Sequence, residues 1–316
     1  MSNGAPIALQ SHRAAIEAEL QQRIAAHQRL MLSQGLVASR DPNRPLNLLA
    51  DGDSWFDYPL SGALPIASDV IVKLDGLISP RPTILNLAHH GDATTELLGV
   101  TKRARLLNAL QEPKNGTFDA ILFSGGGNDL VGDQFRLWLN DADTVGRDPA
   151  KAIDQGALDD IIGVVETAYL DLVAARDRVD KSIPVFVHAY DFALPTDNGV
   201  CGVGPWLFPS LMSRGWMHNT GPADLAVGAQ IVRLILVQFH QLLTKLAGTA
   251  GNNIVFVETQ GTLAPVEWAN ELHPDPAGFQ KIAQKFVGPL ADKFPGRAAK
   301  QAIISSSPAQ VSPPAA

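Results

Sequence analysis

The chain has 316 residues, of which 46% are hydrophobic and 18% are charged, and its formal net charge is −7. This apolar fraction supplies a large core and excludes a chain that is disordered throughout. The acidic balance argues against a nucleic-acid-binding protein, which needs a basic surface to meet phosphates. The single cysteine, Cys201, excludes an intramolecular disulfide and a zinc site built from several cysteines.

Hydropathy along the chain indicates the expected cellular location. The first twenty residues lack a basic start followed by an apolar stretch, so we expect no secretory signal. No uninterrupted apolar run approaches the roughly 18 residues that span a bilayer. We therefore expect a cytoplasmic protein without a membrane span or a nucleic-acid partner, and the sequence leaves its oligomeric state open.

Residues 1–45 predict a loose leader followed by an amphipathic helix. Ser11 stands where a helix N-cap would be, and the segment 14–33 is rich in Ala, Leu, Gln and Glu. Ile16, Leu20, Ile24 and Leu30 recur at near-helical spacing, so we expect this helix to lie on the body of the protein. The turn at 41–45 (DPNRP) then ends the segment.

Residues 46–297 predict one α/β domain, because short apolar runs alternate with longer helical stretches. The runs predicted as strands are Leu46–Ala50, Ile84–Ala88, Asp119–Phe123, Val185–Ala189 and Ile254–Glu258. Helices are predicted near 95–112, 152–176, 223–247 and 276–293. Strands that are apolar throughout are typical of a parallel sheet covered on both faces. The Ser-, Pro- and Ala-rich segment 298–316 is predicted to be a disordered tail.

Four polar segments stand at the ends of predicted strands or before a helix. They are Asp51–Trp55 (DGDSW), Asn86–Asp92 (NLAHHGD), Ser124–Asp129 (SGGGND) and Asn270–Pro274 (NELHP). Open α/β sheets bind ligands at the carboxyl ends of their strands. A serine on a turn, a glycine N–H, an asparagine amide and a histidine that titrates near neutrality are groups suited to acyl transfer. Each segment also has a structural interpretation, such as Ser54 capping a helix or an Asx bond in the glycine-rich turn.

Other catalytic motifs fit these residues less well. The glycine run lacks the GxxxxGK[ST] pattern of a phosphate-binding loop. The paired histidines His89 and His90 have no HExxH motif or cysteine nearby, so no metal is predicted. The G-x-S-x-G elbow of α/β-hydrolases needs a second glycine where Phe56 stands.

The set and order of Ser, Gly, Asn and His resemble the SGNH (GDSL-type) hydrolase superfamily over roughly residues 46–292. The resemblance rests on Gly52-Asp53-Ser54, Gly91, Gly127-Asn128-Asp129 and His273-Pro274. It implies a flavodoxin-like, three-layer α/β/α sandwich with a five-stranded parallel sheet. It also implies that Ser54 is the nucleophile and His273 its base, and that Ser54, Gly91 and Asn128 form the oxyanion hole. The expected function is a serine esterase that acts on a small-molecule ester through an acyl-enzyme, without a cofactor.

Asn270 departs from the family pattern, which has aspartate three residues before the histidine. An asparagine supplies no anion to an imidazolium, although its oxygen can still orient the ring. The carboxylates of Glu267, Glu271 and Asp275 are close in sequence. The sequence leaves open which of these residues, if any, completes a triad with His273.

Aromatic residues near these segments predict an apolar acyl pocket. They are Trp55, Phe56, Phe192, Trp206 and Trp216. The last two lie in the long segment 195–222, which is either a loop that lines the site or an ordinary surface loop. Two other functions stay open: a non-catalytic binding protein of the same fold, and a metal-dependent phosphoesterase, which needs further His and Asp ligands.

Overall fold

The computed structural model describes residues 4–37, 39, 41–58, 68–90, 99–131, 133–199 and 204–300. Its helices are α1 (Gly4–Ser33), α2 (Val70–Asp75), α3 (Val100–Gln111), α4 (Gly127–Val131), α5 (Gln155–Asp177), α6 (Leu207–Ser213), α7 (Pro222–Gly248) and α8 (Pro276–Lys293). Its strands are β1 (Asn47–Gly52), β2 (Ile78–Ser79), β3 (Thr83–Asn86), β4 (Ala120–Ser124), β5 (Val185–His188), β6 (Ile254–Val257) and β7 (Ala299–Lys300).

Five strands form one parallel sheet in the order β3-β1-β4-β5-β6. Each falls within two residues of a predicted apolar run, so the fold class predicted from the sequence is confirmed. The three central strands β1, β4 and β5 are buried along their whole length. Burial on both faces explains why these strands read as unbroken apolar runs.

The helices cover both faces of the sheet. From β1 the chain moves to β3 through α2, and it then returns across the sheet through α3, α5 and α7. Because crossover connections are right-handed, α2 lies on the face opposite to α3, α5 and α7. The last helix, α8, packs against α2 and β6. This is the three-layer arrangement that the sequence predicted.

The N-terminal helix begins at Gly4, several residues before the predicted cap at Ser11. It packs beside the edge strand β3 and buries Leu20 and Met31. Its Arg23 guanidinium donates to the Asp57 carboxylate at 2.6 Å. The edge strand is thereby shielded from pairing with another chain.

The start of the predicted disordered tail is ordered instead. Ala299–Lys300 pair in antiparallel fashion with Ile78–Ser79, a short pairing that hydropathy did not indicate. Residues 301–316 lie outside the described residues.

Among the described residues, α7 is long and apolar enough to cross a membrane by length and composition. The core helix of a globular protein meets the same criterion. In this fold α7 runs beside β5 and β6, and its Ile231, Ile235 and Phe239 side chains are fully buried.

Candidate active site

The turn that carries Ser54 depends on glycine at the end of β1. Gly52 has a φ of +148°, and a Cβ atom there would lie 2.3 Å from the carbonyl oxygen of Ser124. A side chain at this position would therefore force β1 and β4 apart. The Asp53 N–H donates to that carbonyl at 3.0 Å, and Ser54 follows at the carboxyl edge of the sheet, where open α/β sheets bind ligands.

Ser54, His273 and Asn270 form a single hydrogen-bonded chain. His273 and Asn270 lie in the loop before α8. Ser54 Oγ lies 2.7 Å from His273 Nε2, and His273 Nδ1 lies 2.9 Å from Asn270 Oδ1. All three residues are at least 90% buried. Residues 219 positions apart in sequence thus meet in the geometry of a nucleophile, a base and a group that orients the base.

The hydrogen bonds of Asn270 determine the tautomer of His273. Asn270 Oδ1 accepts the backbone N–H groups of Leu272 and His273, each at 3.0 Å, so oxygen rather than the amide nitrogen must occupy this position. The Nδ2 group donates to the Tyr58 hydroxyl at 3.0 Å. Because an oxygen faces Nδ1, that ring nitrogen carries the proton and Nε2 has its lone pair free for the Ser54 hydroxyl.

Burial determines the charge of His273. Burial, and after it the charge of His90, lower the pKa of His273 to about 3. The ring packs against Tyr58, with centroids 4.7 Å apart, and meets the edge of Trp206 at 6.1 Å. At neutral pH His273 is therefore a neutral imidazole, the form that can accept a proton.

The three carboxylates that lie near His273 in sequence form hydrogen bonds or ion pairs with other groups. Glu271 is fully buried, and its carboxylate accepts four backbone N–H groups, those of Asp197, Trp206, Leu207 and Phe208. Asp275 caps α8, and Glu267 pairs with Lys281. The partner of His273 Nδ1 is Asn270, which answers the question that the sequence left open. Glu271 instead ties Asp197 and residues 206–208 to the loop that carries His273.

The expected oxyanion donors are only partly described. Asn128 lies in the first turn of α4 and lines the same cavity as Ser54 and His273. Gly91 lies outside the described residues. The roles of Ser54, Gly91 and Asn128 at an oxyanion stay predictions.

A cavity at Ser54 opens to solvent, and about 370 Å³ of non-atom space lies within it and at its mouth. Its wall is formed by Asp53, Ser54, Trp55, Gly127, Asn128, Val131, Tyr190, Asp191, Ala193, Leu236, Trp268, Leu272 and His273. Side chains from five segments of the chain meet here, and most of the wall beyond the polar groups is aliphatic or aromatic. Such a cavity suits an apolar group held beside a small number of polar atoms.

Two of the five predicted pocket aromatics lie at this site. Trp55 lines the cavity, and its Nε1–H donates to the Leu272 carbonyl at 3.0 Å. Trp206 touches the His273 ring from outside the cavity wall. Sequence reasoning missed Trp268, which lines the cavity and meets Trp55 edge-on. Trp268 follows no predicted strand. The only signal in the sequence was its position two residues before the Asn270–Pro274 segment.

The other three predicted pocket aromatics do not line this cavity. Phe56 points into the core and away from the cavity, since its side chain is fully buried and stacks on His188. Phe192 packs its ring against the Arg233 guanidinium, 3.7 Å from the ring centroid. Trp216 is buried, and its Nε1–H donates to a backbone carbonyl at 2.7 Å.

A hydrogen-bonded network lies beneath Ser54. Asp53 is 2% exposed. It accepts from the hydroxyl groups of Ser124 at 2.8 Å and Tyr190 at 2.6 Å. Burial raises the pKa of Asp53 to about 6, while these bonds act in the opposite direction. Tyr190 was missed in the sequence, although it follows β5 at the same edge of the sheet, a position that itself marks candidates.

The cavity wall contains a second acidic residue, Asp191, whose carboxylate is also occupied by hydrogen bonds to the protein. Its carboxylate accepts the backbone N–H groups of Gly261, Thr262 and Leu263. Within the described part of the chain, no three His, Cys, Asp or Glu side chains are grouped so that they could hold a metal ion.

Comparisons with known proteins give a resemblance in structure only. No protein-family model and no curated protein matches the chain. Among solved structures, it is similar to a lipase from a goat rumen metagenome, at 14% identity and a TM-score of 0.47, over 77% of this chain and 97% of that one. It is also similar to phospholipase A1 from Streptomyces albidoflavus, at 17% identity and a TM-score of 0.45, over 79% of this chain and 100% of that one.

A third similar structure is an extracellular lipase from Streptomyces rimosus, at 18% identity and a TM-score of 0.41, over 78% of this chain and 99% of that one. The chain is also similar to a member of the lipolytic protein G-D-S-L family from Veillonella parvula, at 15% identity and a TM-score of 0.39, over 76% of this chain and 96% of that one. At these identities the similarity is one of overall structure.

Proposed function

We propose that this chain is a serine hydrolase that cleaves carboxylic esters through an acyl-enzyme on Ser54. The observation that carries the proposal is the pair of contacts at His273. Nε2 lies 2.7 Å from Ser54 Oγ, and Nδ1 lies 2.9 Å from an Asn270 oxygen whose identity is fixed by two backbone N–H groups. A serine paired with an oriented neutral imidazole is the arrangement that activates a hydroxyl for attack.

In the first half-reaction, Ser54 Oγ attacks the ester carbonyl carbon, and its proton passes to His273 Nε2. The tetrahedral oxyanion collapses, the bond to the leaving oxygen breaks, and the alcohol departs with the proton from His273. In the second half-reaction, His273 takes a proton from water as the water oxygen attacks the acyl-enzyme. Collapse returns that proton to Ser54 and releases the carboxylic acid.

The surroundings support an ester with an apolar acyl group. Asn128 lines the cavity beside Ser54 and is suited to donate to the oxyanion. Beyond the reacting atoms, the wall presents Val131, Leu236 and Trp268. An apolar chain gains free energy from burial against such a wall, and a charged acyl group would lose its hydration there.

The test is covalent labelling by a fluorophosphonate, followed by intact-mass and peptide mapping. We expect one adduct, on Ser54, and hydrolysis of short p-nitrophenyl esters. Ser54→Ala should abolish both, and His273→Ala should slow labelling by orders of magnitude. Ser210→Ala is a matched control, because Ser210 is equally buried and its hydroxyl donates to a backbone carbonyl; it should label normally.

Folded wild-type protein that takes no adduct and turns over no ester would refute the proposal. Ligand binding without turnover, unchanged by Ser54→Ala, would then favour a non-catalytic binding protein. Activity that is lost with a chelator and retained in Ser54→Ala would favour a metal-dependent mechanism instead.

A further inference from the structure

Tyr190 connects the turn of the nucleophile to the turn of Asn128. Its hydroxyl lies 2.6 Å from Asp53 Oδ2, and it accepts the Gly127 N–H at 3.1 Å. Asp53 immediately precedes Ser54, and Gly127 immediately precedes Asn128. One buried hydroxyl therefore bonds both to the turn of Ser54 and to the turn of Asn128. The proposed reaction needs these two turns in a fixed relative position.

The backbone at Tyr190 is held in an unusual conformation. Its φ is +58°, which is a left-handed value that bulky residues adopt only when the surroundings impose it. The Tyr190 N–H donates to His188 Nδ1 at 3.2 Å. The ring stacks on Phe239 and meets Trp55 edge-on, with centroids 5.8 and 5.1 Å away. The strain and this packing together fix where the hydroxyl points.

The hydrogens of this network can be assigned one by one. Because His188 Nδ1 accepts the Tyr190 N–H, the neutral ring carries its proton on Nε2 and donates it to Ser124 Oγ at 3.0 Å. Ser124 then donates to Asp53 Oδ1. The Tyr190 hydroxyl accepts from Gly127, so its own hydrogen goes to Asp53 Oδ2. Both hydroxyl hydrogens, those of Ser124 and Tyr190, are directed at Asp53, as a buried carboxylate requires.

The ring of Tyr190 also limits the approach of the Asn128 turn. A Cβ atom at Gly127 would lie 2.8 Å from the ring of Tyr190. The absence of a side chain at Gly127 therefore lets α4 begin directly against the tyrosine. Ring contact and hydrogen bond together determine where Asn128 starts relative to Ser54.

We infer that Tyr190 is a positioning residue that sets the Asn128 turn against the Ser54 turn through its shared hydrogen bonds to Asp53 and Gly127. The inference rests on the proposed function, since it concerns the relative placement of the nucleophile and an oxyanion donor. Misplacement of reacting groups by about 1 Å can cost about 100-fold in rate. Loss of the hydroxyl should therefore lower kcat and leave the apolar cavity, and with it KM, nearly unchanged.

The experiment compares Tyr190→Phe with Tyr169→Phe. Tyr169 is also fully buried, and its hydroxyl donates to Gly125 O at 2.7 Å, in the same glycine run but without a link to Asp53. Both variants remove one buried hydroxyl and keep the ring. We expect kcat and the rate of fluorophosphonate labelling to fall about 10- to 100-fold in Tyr190→Phe, with KM within about twofold. In Tyr169→Phe both rates should stay within about threefold of wild type, by the same reasoning.

A double-mutant cycle with Asp53→Asn tests the route of the effect. If Tyr190 acts through Asp53, the two substitutions together should cost much less than the product of their separate effects. Should Tyr190→Phe fail to fold by near-ultraviolet circular dichroism, Asp53→Asn carries the test alone and should lower kcat with KM retained.

An active wild type with an unaffected Tyr190→Phe, or an equal loss in Tyr169→Phe, would overturn this inference and leave the proposed function standing. Multiplicative effects in the cycle would overturn the route through Asp53. A wild type that neither labels nor hydrolyses esters would refute the proposed function itself, and this inference with it.

Discussion

Replacing Asn270 with aspartate tests the central feature of the proposed mechanism, a histidine base that is oriented by a neutral oxygen. The change is isosteric. Oδ1 would keep its bonds to His273 Nδ1 and to the N–H groups of Leu272 and His273. The new Oδ2 would take the place of Nδ2, and the Tyr58 hydroxyl, now 3.0 Å from Nδ2, would rotate to donate to it.

The magnitude follows from the distance between the new charge and the ring. A carboxylate in contact with a histidine typically raises its pKa by about 1–3 units. Starting from about 3 in the wild type, the pKa of His273 in Asn270→Asp should reach about 4–6. Each pKa unit corresponds to about 1.4 kcal/mol of stabilisation of the imidazolium ion. If all of that stabilisation is present in the transition state, the rate rises about tenfold for each unit. We therefore expect kcat at pH 8 to rise, by up to about 10-fold for each unit by which the pKa is raised.

The sign of the pH dependence is also determined. A base works in its neutral form, so activity is lost as pH falls through its pKa. The acid limb of kcat/KM should lie near pH 3 in the wild type, or at the onset of acid unfolding if that comes first. In Asn270→Asp the limb should move upward by about 1–3 pH units.

The assay is ester hydrolysis from about pH 2.5 to about pH 9, so that both limbs are covered, with unfolding followed in parallel. Asn270→Ala is the control for orientation, since it removes the oxygen that selects the Nδ1–H tautomer. It should lower kcat by up to about 10⁴-fold, as in triads that hold the wrong tautomer. An Asn270→Asp variant whose acid limb stays in place, or whose kcat falls while the fold is intact, would refute the assignment of the Asn270 oxygen as the partner of His273.

Three further predictions concern groups around the reacting atoms. Asn128→Ala should lower kcat by about 10²- to 10³-fold with little change in unfolding free energy, measured by steady-state kinetics and urea titration; an unchanged kcat would remove Asn128 from the oxyanion hole. Glu271→Gln should lower the urea unfolding free energy by about 1–3 kcal/mol for each backbone N–H that the new amide leaves unpaired, and an unchanged midpoint would contradict the four bonds drawn to this carboxylate. Gly52→Ala should destabilise by about 3 kcal/mol or more, because overpacking against Ser124 adds to backbone strain. Gly163→Ala, with nothing within 4 Å of the new methyl group, should be neutral or stabilising in the same titration.

The sheet could be predicted from the sequence because burial on both faces leaves an unmistakable apolar run in each strand. The short elements gave no such signal. Val70–Asp75 and Leu207–Ser213 are helices of six and seven residues, too short for a helical period to stand out. The Ile78–Ser79 pairing with Ala299–Lys300 joins segments more than 200 residues apart, so nothing in either segment alone indicates it.

The polar site could be predicted in outline and not in its contacts. The carboxyl ends of neighbouring parallel strands meet at one edge, which is why Ser54 and Asn128 were expected together. The direction of each side chain is a separate matter. Glu271 stands next to Asn270 in sequence, yet it turns away from His273 and accepts four backbone N–H groups. Nearness in sequence therefore ranked it as a candidate for a role that its side chain does not fill.

Residue 270 is asparagine where the family that the sequence resembles has aspartate. This difference shows that the position of a residue in a motif and its charge carry different information. The residue three positions before the histidine accepts two N–H groups of its own loop through one oxygen, a turn that aspartate and asparagine form equally well. The exchange therefore preserves the orientation of the ring and the Nδ1–H tautomer, and it removes only the anion. Without that anion nothing offsets burial, and the pKa of His273 falls to about 3. The sequence shows that position 270 carries no charge; only the direction of the Asn270 oxygen shows that the His273 ring still turns Nε2 toward Ser54.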